Sequence, residues 1–469
     1  MNECNEKPSS AQPTPSRREF VKTSSALMVG GAAMVSGMSM ARSAHIAGDD
    51  RIKVALVGCG GRGTGAAVGA LRTQGKVTLW AVADAFESRT KQGLRRIERE
   101  VGEGYDEARM GPLSERIQVP AERQFAGLDA YQKAIDSGVD LVILTTPPGF
   151  RPMQFEAAIA AGKHVFMEKP VAVDAPGIRK VLAAGESAKA KGLAVGVGLQ
   201  RRHDPGYIET INRLQDGAIG DILLTRVYWN GGGVWVRTRT DFYKAHGHEP
   251  TEMEYQVNNW YYFNWLCGDH ITEQHIHNLD VSNWLKNAYP VSANGMGGRE
   301  VRTGKDHGQI FDHHFVEFTY ADGSTMMSQC RHIGGCASLV DEFTMGTAGT
   351  AHIGAGSKHD PGHRIVGPTG QWTYAGGRID PYQLEQDALF VAIRRGDAYN
   401  ETEYGAHSTM TSILGRMATY SGKVVAWDEA INSEIDLSPA SYDFSADPPV
   451  MPDANGRYPL PVPGKTVVV

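Results

Sequence analysis

Three groups of residues in this chain combine types and spacings that suit chemistry. Gly58-Cys59-Gly60-Gly61-Arg62-Gly63 follows the apolar run 52–57 and precedes a stretch of small residues, 64–72, with helical character. A strand, a glycine turn and a helix in that order form a dinucleotide cradle. Gly58 permits the tight turn, Gly60 lets the backbone approach the pyrophosphate, and Gly63 allows close helix–strand packing. The phosphates then face the amides at the helix N-terminus. A second candidate strand, 77–83, ends at Asp84, whose carboxylate suits the adenosine ribose hydroxyls and repels a 2′-phosphate. NAD is therefore expected over NADP, although Arg89 lies near enough to accommodate such a phosphate. A phosphate loop for some other ligand is the competing explanation, and the complete order of strand, loop, helix and acid speaks against it.

The second group is Glu168-Lys169-Pro170, at the carboxyl end of a candidate strand, 164–167. Ligands sit on that side of an open α/β sheet. Oxidising a secondary alcohol requires a proton to leave as hydride departs, and a desolvated lysine can assist. A surface lysine in a turn is the plainer alternative. The third group is His270, Glu273 and His277, which at i, i+3 and i+7 share one face of a single helix. A carboxylate one turn from a histidine holds its tautomer and raises its basicity. His277 is thus assigned as general acid/base, Glu273 as its orienter and Lys169 as the assisting group. The same three ligand types at helical spacing also suit zinc. Hydride chemistry already accounts for them, so no metal is assigned.

The elements that must position these groups alternate regularly. Helical patterns at 131–137, 151–161 and 175–191 interleave with strand-like runs at 139–144, 164–167 and 193–199. This rhythm predicts a parallel, doubly wound sheet over residues 50–200. Thr145, Thr146 and Pro147 close one strand where the cofactor should lie, and Gln200 closes the last. Gln200-Arg201-Arg202-His203 is expected to reach the cofactor or a substrate hydroxyl. Downstream, 221–230 and 311–333 alternate like strands, with Asp322-Gly323 as a hairpin turn, and 383–395 and 408–424 read as helices. Trp229, Trp235, Tyr255, Trp260, Tyr261, Tyr262 and Trp265 serve either sugar faces or ordinary packing. Past residue 433 the chain is rich in Pro, Ser and Asp and is expected to wrap a surface without a core of its own.

Together the Gly58–Gly63 loop, the Thr145–Pro148 turn, Ala161-Gly162-Lys163-His164 leading into Glu168-Lys169-Pro170, and Gly346-Thr347-Ala348-Gly349-Thr350 resemble the Gfo/Idh/MocA family over roughly residues 50–430. The family is named for glucose–fructose oxidoreductase and inositol dehydrogenase. The resemblance implies an α/β fold: a Rossmann doubly wound parallel sheet followed by an α/β domain with an open, mostly antiparallel sheet. That second sheet walls the substrate pocket and often forms an oligomer interface. The resemblance also points Lys169 at the reacting hydroxyl, with Glu168 and Pro170 fixing its loop. Aligned on His-x-x-Asp, His277 takes the family histidine's place, and Glu273 stands where the family commonly has aspartate. The implied organisation is a signal segment at 1–41, an NAD-binding domain at 50–200, a substrate and oligomerisation domain at 201–430 and a tail at 431–469.

Ser16-Arg17-Arg18-Glu19-Phe20-Val21-Lys22 resembles the twin-arginine export signal at every position except a conservative Val21. A mildly apolar stretch and Ser39-Met40-Ala41 follow, as a signal peptidase requires. A periplasmic or otherwise exported protein is expected, with its cofactor loaded before export. Little free NAD exists there, so the dinucleotide should stay bound and be regenerated in place. Reduction of a second carbohydrate would achieve this, as would return of the hydride after an elimination, the route of NAD-dependent glycosidases in the superfamily. That branch lacks the lysine of Glu-Lys-Pro, so Lys169 favours plain oxidation of a sugar or glycoside. A non-catalytic carbohydrate-binding protein would have a damaged site, whereas these residues are intact. A net charge of −6 gives no basic field for nucleic acid. No stretch after residue 41 is apolar enough to span a bilayer. Five cysteines do not make a disulfide framework, and Cys330 and Cys336 are read as free thiols.

Overall fold

The computed structural model describes residues 50–103, 105–356 and 362–469. The twin-arginine segment within 1–41 lies outside them. Strands β1 (Ile52–Val57), β2 (Val77–Asp84), β3 (Gln124–Ala126), β4 (Leu141–Leu144), β5 (His164–Met167) and β6 (Val195–Val197) form one sheet in the order β3-β2-β1-β4-β5-β6. Every pairing in it is parallel. The strand order reverses between β1 and β4, which opens the crevice where such sheets bind ligands. β4 is buried at all its positions, because helices cover both faces of a parallel sheet. The Ala175–Lys191 helix has the bounds its sequence predicts. Asp174 caps it by accepting from the Gly177 N–H, and Gly192 stops it in the left-handed region at φ 67°.

Nine further strands make the second sheet: β7 (Ile222–Gly231), β8 (Ser292–Gly298), β9 (His313–Thr319), β10 (Thr325–His332), β11 (Leu339–Gly346), β12 (Gly349–His352), β13 (Arg364–Gly367), β14 (Gly370–Thr373) and β15 (Val425–Ala426). Their order is β14-β13-β12-β11-β7-β10-β9-β8-β15. Only β7 and β10 run parallel to each other. The predicted Asp322-Gly323 turn joins β9 to β10, with the Gly323 N–H donating to Tyr320 O.

The two sheets share one core. Val142, Val165 and Val197 from the first sit in the same apolar cluster as Val316, Phe318 and Met326 from the second. Between them runs the Thr402–Ser421 helix, buried along most of its length. Polar contacts reinforce this packing: Asp280, from the Ile276–Lys286 helix, receives Arg202 through both carboxylate oxygens and also the Ser408 hydroxyl. Arg201 bonds Glu342, and His203 bonds Glu401. The expectation that Arg201, Arg202 and His203 reach ligand is therefore corrected, since each turns into a buried carboxylate on another element.

The tail needs a correction too. It follows the surface, but Val450 and Tyr458 are buried with Tyr255, Phe263 and Trp265, so it contributes to a core. The Leu437 N–H donates to Asp174, Thr251 Oγ1 to Phe444 O, and Gln256 Nε2 to Val450 O. Cys330 is buried and Cys336 exposed, both as free thiols. Among the described residues no helix is long and apolar enough to cross a membrane.

Candidate active site

The switch point of the first sheet opens into a cavity of about 510 Å³. Its floor is the glycine turn. Gly58 adopts φ 99°, and a side chain there would strike the Thr145–Thr146 backbone at 2.6 Å. A Cβ on Gly63 would lie 2.0 Å from Gly58 O, so this position packs helix against turn. Gly60 differs, because a Cβ there would meet nothing within 4 Å. The space above Gly60 is open, and the Gly61–Leu71 helix has no side-chain cap. Its first-turn N–H groups have no intrahelical acceptor and are left for an anion. Thr145 Oγ1 donates to Gly58 O at 2.6 Å and holds the turn, while Thr146 Oγ1 bonds Gln154.

Asp84 ends β2 at the cavity wall. Its Oδ2 accepts from the Cys59 N–H at 2.7 Å and its Oδ1 from Phe86 N–H at 3.1 Å. Burial raises its pKa, and those donors partly counter the rise. Arg89 lines the same end, joined by Arg237 from the segment after β7. Burial, then repulsion from Arg89, lowers the Arg237 pKa to about 10. A dinucleotide therefore fits what is present: open space over Gly60, uncapped amides and a ribose-side carboxylate.

At the other end, β5 delivers Glu168 and Lys169. Glu168 receives Arg62 Nε at 2.5 Å, so the glycine turn and the Glu-Lys-Pro loop are tied directly together. Arg62 also reaches Glu385 at 3.4 Å and stacks on Tyr382, whose hydroxyl accepts from Gln200 Nε2. Lys169 Nζ donates to the backbone oxygen of Glu273 at 2.5 Å and lies 3.5 Å from its carboxylate. Glu273 and His277 both line the cavity. The His277 ring stacks on Trp229 with centroids 5.9 Å apart, and its Nδ1 is buried without a partner. Burial, then the charge of Lys169, holds its pKa well below 6.5.

This geometry corrects the predicted stripe of three residues on one helix. The chain makes one turn, His270–Glu273, breaks at Gln274, and restarts at Ile276–Lys286. The break swings His270 away from the cavity: its Nδ1 bonds Asp269 and its ring stacks on His332. Glu273 holds Lys169, and no hydrogen bond joins it to His277, so its role as orienter of the histidine is corrected to positioning the lysine. The zinc set His270, Glu273 and His277 is likewise not assembled. Among the described residues, Asp269, His270 and His314 have ligand-compatible spacing instead. The Asp269 carboxylate there already accepts from His270, Phe311 N–H and Tyr420.

Residues 52–199 match the family model for GFO/IDH/MocA oxidoreductases, NAD-binding Rossmann fold. This segment is thus similar to the NAD-binding domain of that family. The chain is 26% identical over 244 residues to scyllo-inositol 2-dehydrogenase (NAD(+)) of Bacillus subtilis (strain 168), covering 52% of this chain and 57% of that one. It is 26% identical over 311 residues to an inositol 2-dehydrogenase of Acidiphilium cryptum, covering 63% and 79%. The match spans about half the length of the first such relatives. Among solved structures, scyllo-inositol dehydrogenase from Lactobacillus casei with bound NAD(H) and scyllo-inositol shares the fold at TM-score 0.56 and 18% identity, over 81% of this chain and 99% of that one. Aldose-aldose oxidoreductase from Caulobacter crescentus does so at 0.59 and 17%, over 80% and 99%.

The sequence-predicted cofactor residues Gly58, Gly60, Gly61, Arg62, Gly63, Asp84, Arg89, Thr145, Thr146, Pro147, Glu168, Lys169 and Gln200 all line this one cavity. Sequence reasoning missed Arg151, Arg237, Gln274 and Tyr382; Gln274 is an intervening position of the Glu273–His277 motif, and the other three lie in no recognisable motif. The aromatic group divides. Trp229, Trp235 and Trp260 line the cavity, whereas Tyr255, Tyr261, Tyr262 and Trp265 belong to the core beneath. The glycines give a direct test. Gly63→Ala should cost about 2 kcal/mol of stability and lower Tm. Gly60→Ala should keep Tm while weakening NAD binding about tenfold or more, about 1.4 kcal/mol. Equal melting behaviour of the two variants would contradict the packing roles assigned.

Proposed function

We propose that this chain oxidises a secondary hydroxyl of a sugar, glycoside or cyclic polyol, with NAD as hydride acceptor. The observation that carries this reading is that Lys169 and a neutral His277 face the same cavity as the glycine turn. The inositol and aldose substrates in the names of its relatives support the substrate class. Bound NAD would supply the hydride-accepting nicotinamide. His277, unprotonated because burial and Lys169 disfavour its charge, takes the hydroxyl proton. The Lys169 ammonium, steered by Glu273, stabilises negative charge developing on the substrate oxygen. Trp229 fixes the imidazole plane and, with Trp235 and Trp260, offers flat apolar surface to a ring.

Mixing NAD-loaded protein with a panel of inositols, aldoses and glycosides should produce NADH absorbance. Lys169→Met and His277→Gln should each reduce that rate about a hundredfold or more. The depressed His277 pKa sets a sign: the base stays active as pH falls through 6.5, and kcat/KM declines only well below it. An acid limb at or above pH 6.5, or no reduction with any member of the panel, would defeat the proposal.

Export and self-association complete the proposal. The segment at 16–22 supports export with the dinucleotide already bound. Exposed Leu223, Val340, Met345 and Val366 on the second sheet support a homo-oligomer. Cell fractionation should find the protein outside the cytoplasm and find it retained inside the cytoplasm after Arg17 and Arg18 are changed to lysine. Light scattering should give a multiple of the chain mass, and a monomer would contradict the second claim.

A further inference from the structure

Gln274 occupies the break between the His270–Glu273 turn and the following helix, directly after the residue that holds Lys169, and it lines the cavity. Behind it lies a buried chain of polar groups that the proposed chemistry does not use. Arg302 Nη2 is 2.6 Å from His332 Nδ1, and His332 Nε2 is 2.7 Å from Gln274 Oε1. Arg302 and His332 are each only 4% exposed.

Donor and acceptor roles along this chain are fixed by one fact: a guanidinium only donates. Nδ1 of His332 must then accept, so the neutral ring carries its proton on Nε2. That N–H must find an acceptor, and in Gln274 this is the carbonyl oxygen. The amide nitrogen, with its two N–H groups, is left on the other side. Tautomers and amide orientations follow from such networks when hydrogens are not seen. His332 is suited to staying neutral, since burial and the neighbouring His270 and Arg302 all lower its pKa. The same Arg302 donates to Phe311 O, which pins the start of the relay to the backbone.

We infer that Gln274 is a substrate-binding residue whose amide N–H groups are locked toward the cavity by the Arg302–His332 relay, where they donate to a hydroxyl or carbonyl oxygen of the polyol. The inference rests on the cavity being a polyol site and names one contact within it. Arg302 and His332 act as positioning residues, because they reach the ligand only through Gln274. A glutamate at 274 would still accept from His332 but would offer the cavity no donor, whereas a methionine would do neither.

The test is titration of the same polyol panel into NAD-loaded wild type, Gln274→Glu and Gln274→Met, following binding heat and NADH absorbance together. Both variants should bind the preferred polyol about fivefold or more weakly, the loss of one neutral hydrogen bond, with kcat changed far less than KM. If Gln274→Glu binds like wild type, the contact with His332 is only structural and the inference is overturned. Heat without absorbance in wild type would sink the dehydrogenase reading, yet the three affinities would still decide the role of Gln274. Binding of no polyol to wild type overturns both.

Discussion

The contact on which the site depends joins Lys169 to Glu273. Lys169 stands at the end of β5 in the first sheet, while Glu273 closes a single helical turn in the part of the chain that carries the second sheet. Their backbone-oxygen contact at 2.5 Å, backed by a carboxylate at 3.5 Å, brings the two halves together at the mouth of the dinucleotide crevice. Without it, Lys169 would have no fixed direction. Its flexible four-carbon stem gains precision only from what holds the ammonium.

Charge around this contact is arranged in engaged pairs. Arg62 takes Glu168 and reaches Glu385, and Lys169 takes Glu273. Arg151 is the exception. It is fully buried, its Nε makes one long contact to Pro170 O, its Nη1 has no partner, and burial lowers its pKa to about 10. The neighbouring charges of Glu168 and Glu273 offset part of that burial cost. His277 is disfavoured in its charged form first by burial and then by Lys169, Arg201 and Arg62.

Much of this was legible in the sequence, for reasons visible in particular residues. The first sheet was readable because parallel strands covered on both faces are continuous apolar runs, as in Leu141–Leu144, and because Gly58 and Gly63 have no substitute at their positions. The site residues within it followed from strand ends. The helix break at Gln274 was not legible. Periodicity placed His270 with His277, but the buried Asp269, at φ 69°, bonds His270 and turns that segment inward. Glu273 was rightly placed in the cavity and given the wrong partner, since one-turn spacing says nothing about a lysine a hundred residues away. Arg237 and Arg151 were invisible because each is defined by tertiary neighbours and by no local pattern.

A double-mutant cycle on Lys169→Met and Glu273→Gln, read in kcat/KM for the preferred polyol, measures the central contact itself. If Glu273 acts by holding Lys169, the losses should be strongly non-additive, with a coupling of about 1–3 kcal/mol. Losses that add to within about 0.5 kcal/mol would mean the two side chains work independently, and would contradict the contact as the organiser of the site.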